Sequence, residues 1–209
     1  MLEIVECKYC YLSFWQLDEL FSRRKETFKD RLNWSVNCID DKEFDEYDNE
    51  HASYLLGYLD GSVICGVRFR EIKFPNMITG TFACFFKNLT MPDGNYIESS
   101  RFFVDKTRSK NMMIEQPPAS LQLYLAMIRY SKKHNYDGIL TLVSHQMLKI
   151  LRISGWNAHV IQEGISEKKE KVYIVKLPTD NKSEQGIIKK IDASINKKSG
   201  GGDNIKFNS

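Results

Sequence analysis

Hydrophobic side chains near the start of the chain recur at helical spacing. Within "FWQLDELFSRRKETF", residues 14–28, Leu17, Leu20, Phe21 and Phe28 fall on one face of a helix. This spacing predicts an amphipathic helix whose apolar side packs on the core. Arg24 lies on the same stripe. The pattern therefore predicts a charged group that faces inward.

Two apolar runs then flank Asp60-Gly61 in "SYLLGYLDGSVICGVRFREI". This dipeptide favours a tight primed turn, so the runs predict a β-hairpin. The segment before it, residues 29–52, is polar except for isolated anchors such as Trp34 and Phe44. An ordered loop of this length is more often a lid or a binding segment than a simple connection.

The stretch "YIESSRFFVDK" predicts a strand with an unusual load of charge. Strict alternation puts Glu98 on the same face as the apolar Phe102 and Val104, and puts Arg101 on the opposite face. A β-bulge at Ser99-Ser100 would supply the extra residue that brings both charges to one side. We predict that the strand is bent there and aims its charges into a cleft.

The second half of the chain alternates helical and strand patterns. Pro117-Pro118 opens a helix that ends near Asn135, and Ser144 caps a helix that Gly155 stops. Apolar runs predict strands at 139–144, 158–163 and 171–177, and a small amphipathic helix is predicted at 184–195.

This order of elements predicts an α/β (α+β) fold, a mixed central sheet with helices on both faces. The helices at 118–134 and 144–154 would join parallel strands near the middle of the sheet. Ligands of such sheets favour the place where neighbouring strands diverge. We predict one domain over residues 1–195 and a disordered tail over 196–209, where "SGGGDNIKFNS" carries little apolar surface.

Composition narrows the class of protein. The chain has 209 residues, 42% of them hydrophobic, which suits a single core. A net charge of +3 is too small to argue for nucleic acid, and the lysine runs are typical of solvated faces. No apolar run reaches the length of a membrane span, so we expect no stable membrane association. Five cysteines favour reduced thiols and a cytoplasmic location.

The familiar catalytic motifs are missing, including G-x-S-x-G, H-E-x-x-H and the Walker loop. Cys7 and Cys10 form a C-x-x-C that no second pair completes, so no metal site is expected. For Asp45 and Asp48, in an acidic run, the simplest interpretation is surface ion pairing. Arg68, Glu98 and Arg101 lie on apparently buried strands, where unpaired charge is costly. We expect them to pair with one another or with a charged ligand.

Several longer motifs closely resemble acyl-homoserine-lactone synthases, the LuxI-type autoinducer synthases of quorum-sensing bacteria. The similar segments run in order from the first residues to about Leu177. They are "RKETFKDRLNW", "FDEYD", "RFREIKFPNMITG", "ESSRFFVDK" and "MLKILRISGW". The C-terminus departs from the family, because its usual Trp-Pro-containing ending is absent.

The resemblance implies a fold like that of GCN5-related N-acetyltransferases. It also implies acyl transfer from acyl carrier protein to the amine of S-adenosylmethionine, then lactone closure with loss of methylthioadenosine. S-adenosylmethionine is a substrate, and no cofactor is implied. The family's charged and aromatic set falls on Arg24, Phe28, Trp34, Asp45, Asp48, Arg68, Glu98 and Arg101.

Chemistry assigns provisional roles to this set. Glu98 is the candidate base for the substrate ammonium, with its pKa raised by desolvation, and Arg101 and Asp45 complete the predicted catalytic group. Asp45 and Asp48 would offset the ammonium and sulfonium charges, and Arg24 or Arg101 would hold the carboxylate. Phe28 and Trp34 would pack on the adenine or the sulfonium. A backbone N–H at the bulge would stabilise the oxyanion.

The acyl chain needs an apolar tunnel. In similar synthases a threonine at position 141 accompanies a 3-oxo group, so we expect a 3-oxohexanoyl or 3-oxooctanoyl donor. The residues predicted to line the tunnel are Ser100, Phe102, Tyr124, Met127, Thr141, Val143, Ser144, Met147, Ile150, Leu151 and Leu177.

Two other functions compete. A coenzyme-A-dependent N-acetyltransferase would need a glycine-rich phosphate turn after the charged strand, but "DKTRSKNMM" has no glycine. This favours an acidic carrier protein as donor, docked on Lys106, Arg108, Lys110, Lys149 and Arg152. A nucleic-acid module ranks last, since basic and aromatic residues do not interleave. The oligomeric state stays open, with a monomer favoured.

Overall fold

Nine strands form most of the framework of this computed structural model, which describes residues 1–112 and 116–199. Their bounds are β1 Glu3–Lys8, β2 Cys38–Ile39, β3 Lys42–Glu43, β4 Ala52–Leu59, β5 Ser62–Glu71, β6 Tyr96–Val104, β7 Gly138–Ser144, β8 His159–Ile165 and β9 Lys171–Leu177.

Within the described residues, five α-helices accompany the strands: α1 Phe14–Lys25, α2 Lys106–Met112, α3 Ala119–Lys133, α4 His145–Ile153 and α5 Asn181–Ser199. A π-helical segment, Glu26–Arg31, continues α1. In the part of the chain that the structure describes, no helix is long and apolar enough to cross a bilayer.

Seven strands form one sheet in the order β1-β4-β5-β6-β7-β9-β8, and β2 and β3 pair separately. Neighbours are antiparallel except for β6 and β7, which are parallel. Helices α3, α4 and α5 contribute to a core on one face, and α1 packs on the other. This architecture confirms the predicted mixed α/β fold.

The centre of the sheet opens into a fork between β6 and β7. The two strands pair only from Tyr96–Gly138 to Glu98–Leu140 and then diverge. As predicted, α3 connects these parallel strands. The helix α4 differs from the prediction, because β9 lies between the strands that it joins, β7 and β8. The fork is the place where a ligand is expected to bind.

A β-bulge bends β6 at the mouth of the fork, but not where we predicted it. Gly66 pairs with Phe103 whereas Arg68 pairs with Ser100, so the extra residue lies between Ser100 and Phe103 instead of at Ser99-Ser100. Arg101 adopts a φ of 54°, a region that few non-glycine residues occupy.

The bulge changes which side chains share a face of β6. Phe102 and Val104 pack against the core that contains Ile97, while Phe103 joins the core beneath α1. The prediction that Phe102 and Val104 share the face of Glu98 is therefore wrong. The extra residue moves the apolar side chains to the opposite face and leaves the charged ones in the cleft.

Several element boundaries also differ from the predictions. The strand β1 was not predicted; it is a half-exposed edge strand whose polar and apolar residues do not alternate cleanly. The basic helix α2 was not predicted either. Helix α5 reaches Ser199, so residues 196–199 of the predicted disordered tail are helical. The remaining tail residues, 200–209, lie outside the described residues.

Candidate active site

Three arginines and four carboxylates converge at the bulge. The arginines come from three elements, with Arg24 on α1, Arg68 on β5 and Arg101 on β6. Their carboxylate neighbours are Glu43, Asp45, Asp48 and Glu98. The predicted charged set is therefore one network, not a group of separate surface ion pairs.

Arg24 is the most deeply paired member of the network. Its Nε donates to Glu43 Oε2 at 2.6 Å and its Nη1 donates to Asp48 Oδ1 at 2.7 Å. Tyr54 also donates its hydroxyl to Asp48 Oδ1, at 2.7 Å. Burial alone would raise the pKa of Asp48, but Arg24 and Arg68 outweigh burial and hold that pKa well below its ordinary value. Asp48 is thus a permanent anion.

Arg68 donates two hydrogen bonds to the Asp45 carboxylate. Its Nη1 lies 2.5 Å from Asp45 Oδ1 and its Nη2 lies 3.1 Å from Oδ2, a bidentate arrangement. Its Nη1 is also 2.9 Å from Asp48 Oδ1. The Asp45 side chain keeps 16% exposure, against 1% for Asp48. Asp45 is therefore the aspartate that a ligand cation can reach more easily.

Arg101 closes the network from the bulge. Its Nη2 lies 2.8 Å from both Glu43 Oε1 and Asp45 Oδ2, and its Nη1 donates to Met77 Sδ at 3.1 Å. The φ of 54° at Arg101 is a strained backbone conformation. Such strain costs on the order of 1–3 kcal/mol and is concentrated at functional sites. The surrounding ion pairs hold Arg101 in this strained conformation.

Glu98 differs from the other carboxylates of the network because no guanidinium of the described residues contacts it directly. The residue is 1% exposed, and the Ser100 hydroxyl donates to its Oε2 at 3.2 Å. Burial raises the pKa of Glu98 to about 7, although Arg68, Ser100 and Arg101 oppose that rise. Three arginines balance the other three carboxylates. Glu98 can thus gain or lose a proton near neutral pH.

Two stacked aromatic rings border the network. The centroids of Phe28 and Trp34 are 5.1 Å apart, and their planes differ by 16°. Phe28 is buried, with the Arg101 guanidinium 5.7 Å from its ring, whereas Trp34 is 48% exposed. Trp34 therefore retains surface for a ligand, while Phe28 already has a cation beside it.

Most of the predicted acyl-pocket residues lie together on the α3–α4 side of the sheet. Thr141 lies nearby on β7, and its hydroxyl donates to the Ser99 carbonyl at 2.8 Å, across the fork. The predicted pocket residues that belong to the core on this side are Phe102, Tyr124, Met127, Val143, Met147, Leu151 and Leu177.

Three other predicted pocket residues lie elsewhere. Ser100 belongs to the ion network, where its hydroxyl accepts from Arg68 Nε at 3.2 Å. Ser144 is exposed and caps α4 by accepting from the Met147 N–H, and Ile150 is 44% exposed. That these three line the acyl pocket stays a prediction, and their positions differ from those of the other predicted pocket residues because β-strand spacing alone could not place the bulge or the face of α4.

Among the described residues, two buried charged residues of this region were not predicted. Glu43 bridges Arg24 and Arg101, and Arg70 lies on β5 with 2% exposure. Arg68 and Arg70 are two residues apart, so strand alternation could have placed both on one face. Glu43 had only a weak signal, because its acidic run resembles a solvated surface segment.

The predicted docking charges cluster on α2 and α4. Lys106, Lys110 and Lys149 are exposed. Arg108 instead pairs with Asp105 at 2.7 Å, and Arg152 donates to the Ala158 carbonyl. The exposed lysines are therefore freer to meet a partner than the two arginines.

Comparison with known proteins identifies the family. The autoinducer synthase family matches residues 9–187. An acyl-homoserine-lactone synthase of Dickeya chrysanthemi is 58% identical over 191 residues, which cover 91% of this chain and 90% of that protein.

Solved structures confirm the fold. The acyl-homoserine-lactone synthase LasI superposes with a TM-score of 0.78 at 21% identity, covering 90% of this chain and 94% of that one. BjaI, a coenzyme-A-dependent acyl-homoserine-lactone synthase, gives 0.78 at 18% identity, covering 92% and 90%. This chain therefore belongs to the autoinducer synthase family of acyl-homoserine-lactone synthases, which are acyltransferases.

Proposed function

We propose that the chain transfers an acyl group from acyl carrier protein to the amine of S-adenosylmethionine and then closes the lactone, releasing methylthioadenosine. The observation that carries this proposal is the buried Glu98, whose pKa is about 7 beside an otherwise balanced network. An amine nucleophile requires a base of this kind, and a network that already pairs its own charges gives that base a fixed position.

The first step is removal of a proton from the substrate ammonium. Glu98, directly or through a water molecule, accepts that proton, and the free amine attacks the thioester carbonyl. A base whose pKa lies near the working pH combines adequate basicity with a large ionised fraction. A backbone N–H at the bulge stabilises the developing oxyanion.

Several side chains share the binding of the sulfonium substrate. Asp45, the more exposed aspartate, faces the ligand cations, and the free surface of Trp34 packs on the adenine or the sulfonium. Asp48 acts through Arg24 and Arg68, which it holds in place. This division assigns the predicted residues to direct and supporting roles.

The substrate carboxylate is best assigned to Arg101. Arg24 is 1% exposed and pairs with the buried Glu43 and Asp48, so a ligand carboxylate cannot easily reach it. Arg101 keeps 9% side-chain exposure and lies at the bulge. Once the carboxylate is folded against Cγ, ring closure needs only displacement of the sulfonium sulfur.

The acyl group is 3-oxohexanoyl or 3-oxooctanoyl in our proposal, and its tail enters the core beneath α3 and α4. The Thr141 hydroxyl donates to Ser99 in the unliganded protein. To donate to a 3-oxo oxygen it must leave that carbonyl, so recognition exchanges one hydrogen bond for another.

Acyl carrier protein is the proposed donor because its acidic surface matches the exposed lysines of α2 and α4. Coenzyme A is the second candidate donor, since the related fold of BjaI is described with S-adenosylmethionine and isopentyl-coenzyme A. We also propose that residues 1–195 act as one cytoplasmic domain, as a monomer and without a metal or cofactor.

The deciding experiment incubates the purified chain with S-adenosylmethionine and the same acyl group on either acyl carrier protein or coenzyme A. Mass spectrometry then quantifies the acyl-homoserine lactone and methylthioadenosine. We expect equal amounts of both products, formed faster from the carrier protein. Faster turnover of acyl-coenzyme A would overturn the donor assignment, and absence of lactone with every donor would overturn the proposed reaction.

A further inference from the structure

A fourth arginine, Arg70, lies beside the ion network but has no role in the reaction described above. It sits on β5 directly opposite Glu98 on β6, and only 2% of it is exposed. Burial and the like charge of Arg68 lower the pKa of Arg70, and the carboxylates Glu98 and Asp45 oppose that shift. A guanidinium is thus buried at the edge of the reacting region.

The hydrogen-bond partners of Arg70 are uncharged. Its Nε donates to the Pro75 carbonyl at 2.7 Å, and its Nη1 donates at 2.8 Å to both the Tyr47 carbonyl and Asn49 Oδ1. Burying a cation against carbonyl and amide oxygens costs free energy that an apolar side chain of similar length would avoid. Stability alone is therefore a poor reason for an arginine here.

The three acceptors lie on the two segments that frame the site. Tyr47 is bonded on both sides, because its N–H donates to Asp45 Oδ1 at 2.9 Å while its carbonyl accepts from Arg70. Pro75 lies two residues before Met77, whose sulfur accepts from Arg101. The Arg70 guanidinium thus connects β5 to the segment that carries Asp45 and to the loop that carries Met77.

The Tyr47 ring reinforces this connection. The guanidinium carbons of Arg68 and Arg70 each lie 5.6 Å from its centroid. The Tyr47 hydroxyl accepts from the N–H and the hydroxyl of Thr81 at 3.2 Å. A Cβ at Gly80 would come within 2.2 Å of that hydroxyl, so the loop approaches the ring as closely as a glycine allows.

We propose that Arg70 is a positioning residue for the synthase reaction, which fixes the segment carrying Asp45 and the loop carrying Met77 around the sulfonium substrate. The inference rests on the function proposed above, because the substrate that Asp45 meets there is S-adenosylmethionine. Arg70 itself does not contact the substrate. Its loss therefore affects how tightly S-adenosylmethionine is held more than how the acyl donor is held.

The test compares Arg70→Met, Arg70→Lys and the control Arg129→Met, with KM measured separately for each substrate. Arg129 is a surface residue of α3 that pairs with Glu184. We expect Arg70→Met to raise the KM for S-adenosylmethionine about tenfold and to change that for the acyl donor less than about twofold. Arg70→Lys should recover part of the loss, and Arg129→Met should match the wild type in both constants.

Unchanged constants in Arg70→Met, or equal changes for both substrates, would overturn the inference and leave Arg70 a purely structural residue. Should that variant not fold, Asn49→Ala removes one acceptor of the same guanidinium. It should raise the same KM by a smaller factor, and an unchanged value would again overturn the inference. Failure of the proposed function is separate, because the wild-type chain would then make no lactone from S-adenosylmethionine.

Discussion

At the scale of single residues, the site depends on the unequal treatment of similar carboxyl groups. Asp48 and Glu98 are both buried, yet Asp48 has guanidinium nitrogens at 2.7 and 2.9 Å, whereas the hydrogen-bond partner of Glu98 among the described residues is a serine hydroxyl. Direct pairing lowers the pKa of Asp48, and burial raises that of Glu98 to about 7. The same chemical group therefore supplies a fixed charge at one position and a proton acceptor at the other.

Replacing Glu98 by glutamine should remove activity and increase stability. We expect kcat to fall by about 10²-fold or more, because glutamine cannot accept the proton. The folded pKa of about 7 exceeds the ordinary 4.5, so folding binds a proton and wild-type stability falls as the pH rises from about 4.5 to 7. At pH values above that range, the ionised Glu98 lowers the free energy of unfolding by about 3 kcal/mol.

Urea denaturation at pH 5 and pH 8 measures this effect. The stability gained by Glu98→Gln should be larger at pH 8 than at pH 5. Glu43→Gln is the matched control, because it breaks direct ion pairs with Arg24 and Arg101 and should destabilise the protein. A Glu98→Gln variant less stable than the wild type at pH 8 would contradict the raised pKa.

The hydroxyl of Thr141 should determine the preference for 3-oxo donors. Thr141→Val preserves the branched shape but removes the donor that bonds Ser99. We expect the ratio of kcat/KM for 3-oxohexanoyl over hexanoyl donors to fall about tenfold. Thr179→Val is the control, because it removes a hydroxyl that bonds to Ser131 and not to Ser99. This variant should keep the wild-type ratio of kcat/KM values. An unchanged ratio in Thr141→Val would reject this role.

At the scale of elements, hydrophobic periodicity could predict the main helices, the hairpin and the strands of the second half. It could also predict that Glu98 and Arg101 reach one cleft through a bulge in β6. It could not locate the bulge, because the register depends on how β6 pairs with β5, a contact between distant residues. Glu43 was missed for a similar reason, since its partner Arg101 is far away in sequence. Arg70 could have been placed from its two-residue spacing to Arg68.

The packing of α5 depends on a close approach between two glycines. Gly155 has a φ of 92°, and a Cβ there would lie 2.5 Å from the Gly186 carbonyl oxygen. Gly155→Ala should therefore lower the free energy of unfolding by about 2 kcal/mol or more. Gly61→Ala is the control, because its φ of 78° is strained but nothing lies within 4 Å of the added carbon. Equal losses in the two variants would show that the contact with α5 contributes nothing.

At the scale of the whole molecule, the buried charges gather on the face of the sheet that α1 covers, and the predicted acyl side lies on the opposite face. The ion network comes from α1, β5, β6 and the segment that carries Glu43, Asp45 and Asp48. The predicted acyl side comes mainly from β7, β9, α3 and α4. The exposed lysines of α2 and α4 extend this arrangement to the surface. A two-substrate reaction is consistent with this division.

Carrier-protein docking should depend on those lysines. Lys149→Glu on α4 should raise the KM for acyl carrier protein about tenfold, most strongly at low salt, without changing that for acyl-coenzyme A. Lys189→Glu, an exposed site on α5, carries the same change of charge and should have little effect. Equal effects from both variants would indicate net charge, not a docking surface.

The most direct test of the central claim is a carboxyl titration of Glu98. Protein labelled with ¹³C at glutamate side chains is titrated from pH 4 to pH 9, and the signal missing from Glu98→Gln identifies the residue. We predict an apparent pKa of about 7 for this signal in the free protein. A midpoint near the ordinary 4.5 would contradict the assignment of Glu98 as the buried base.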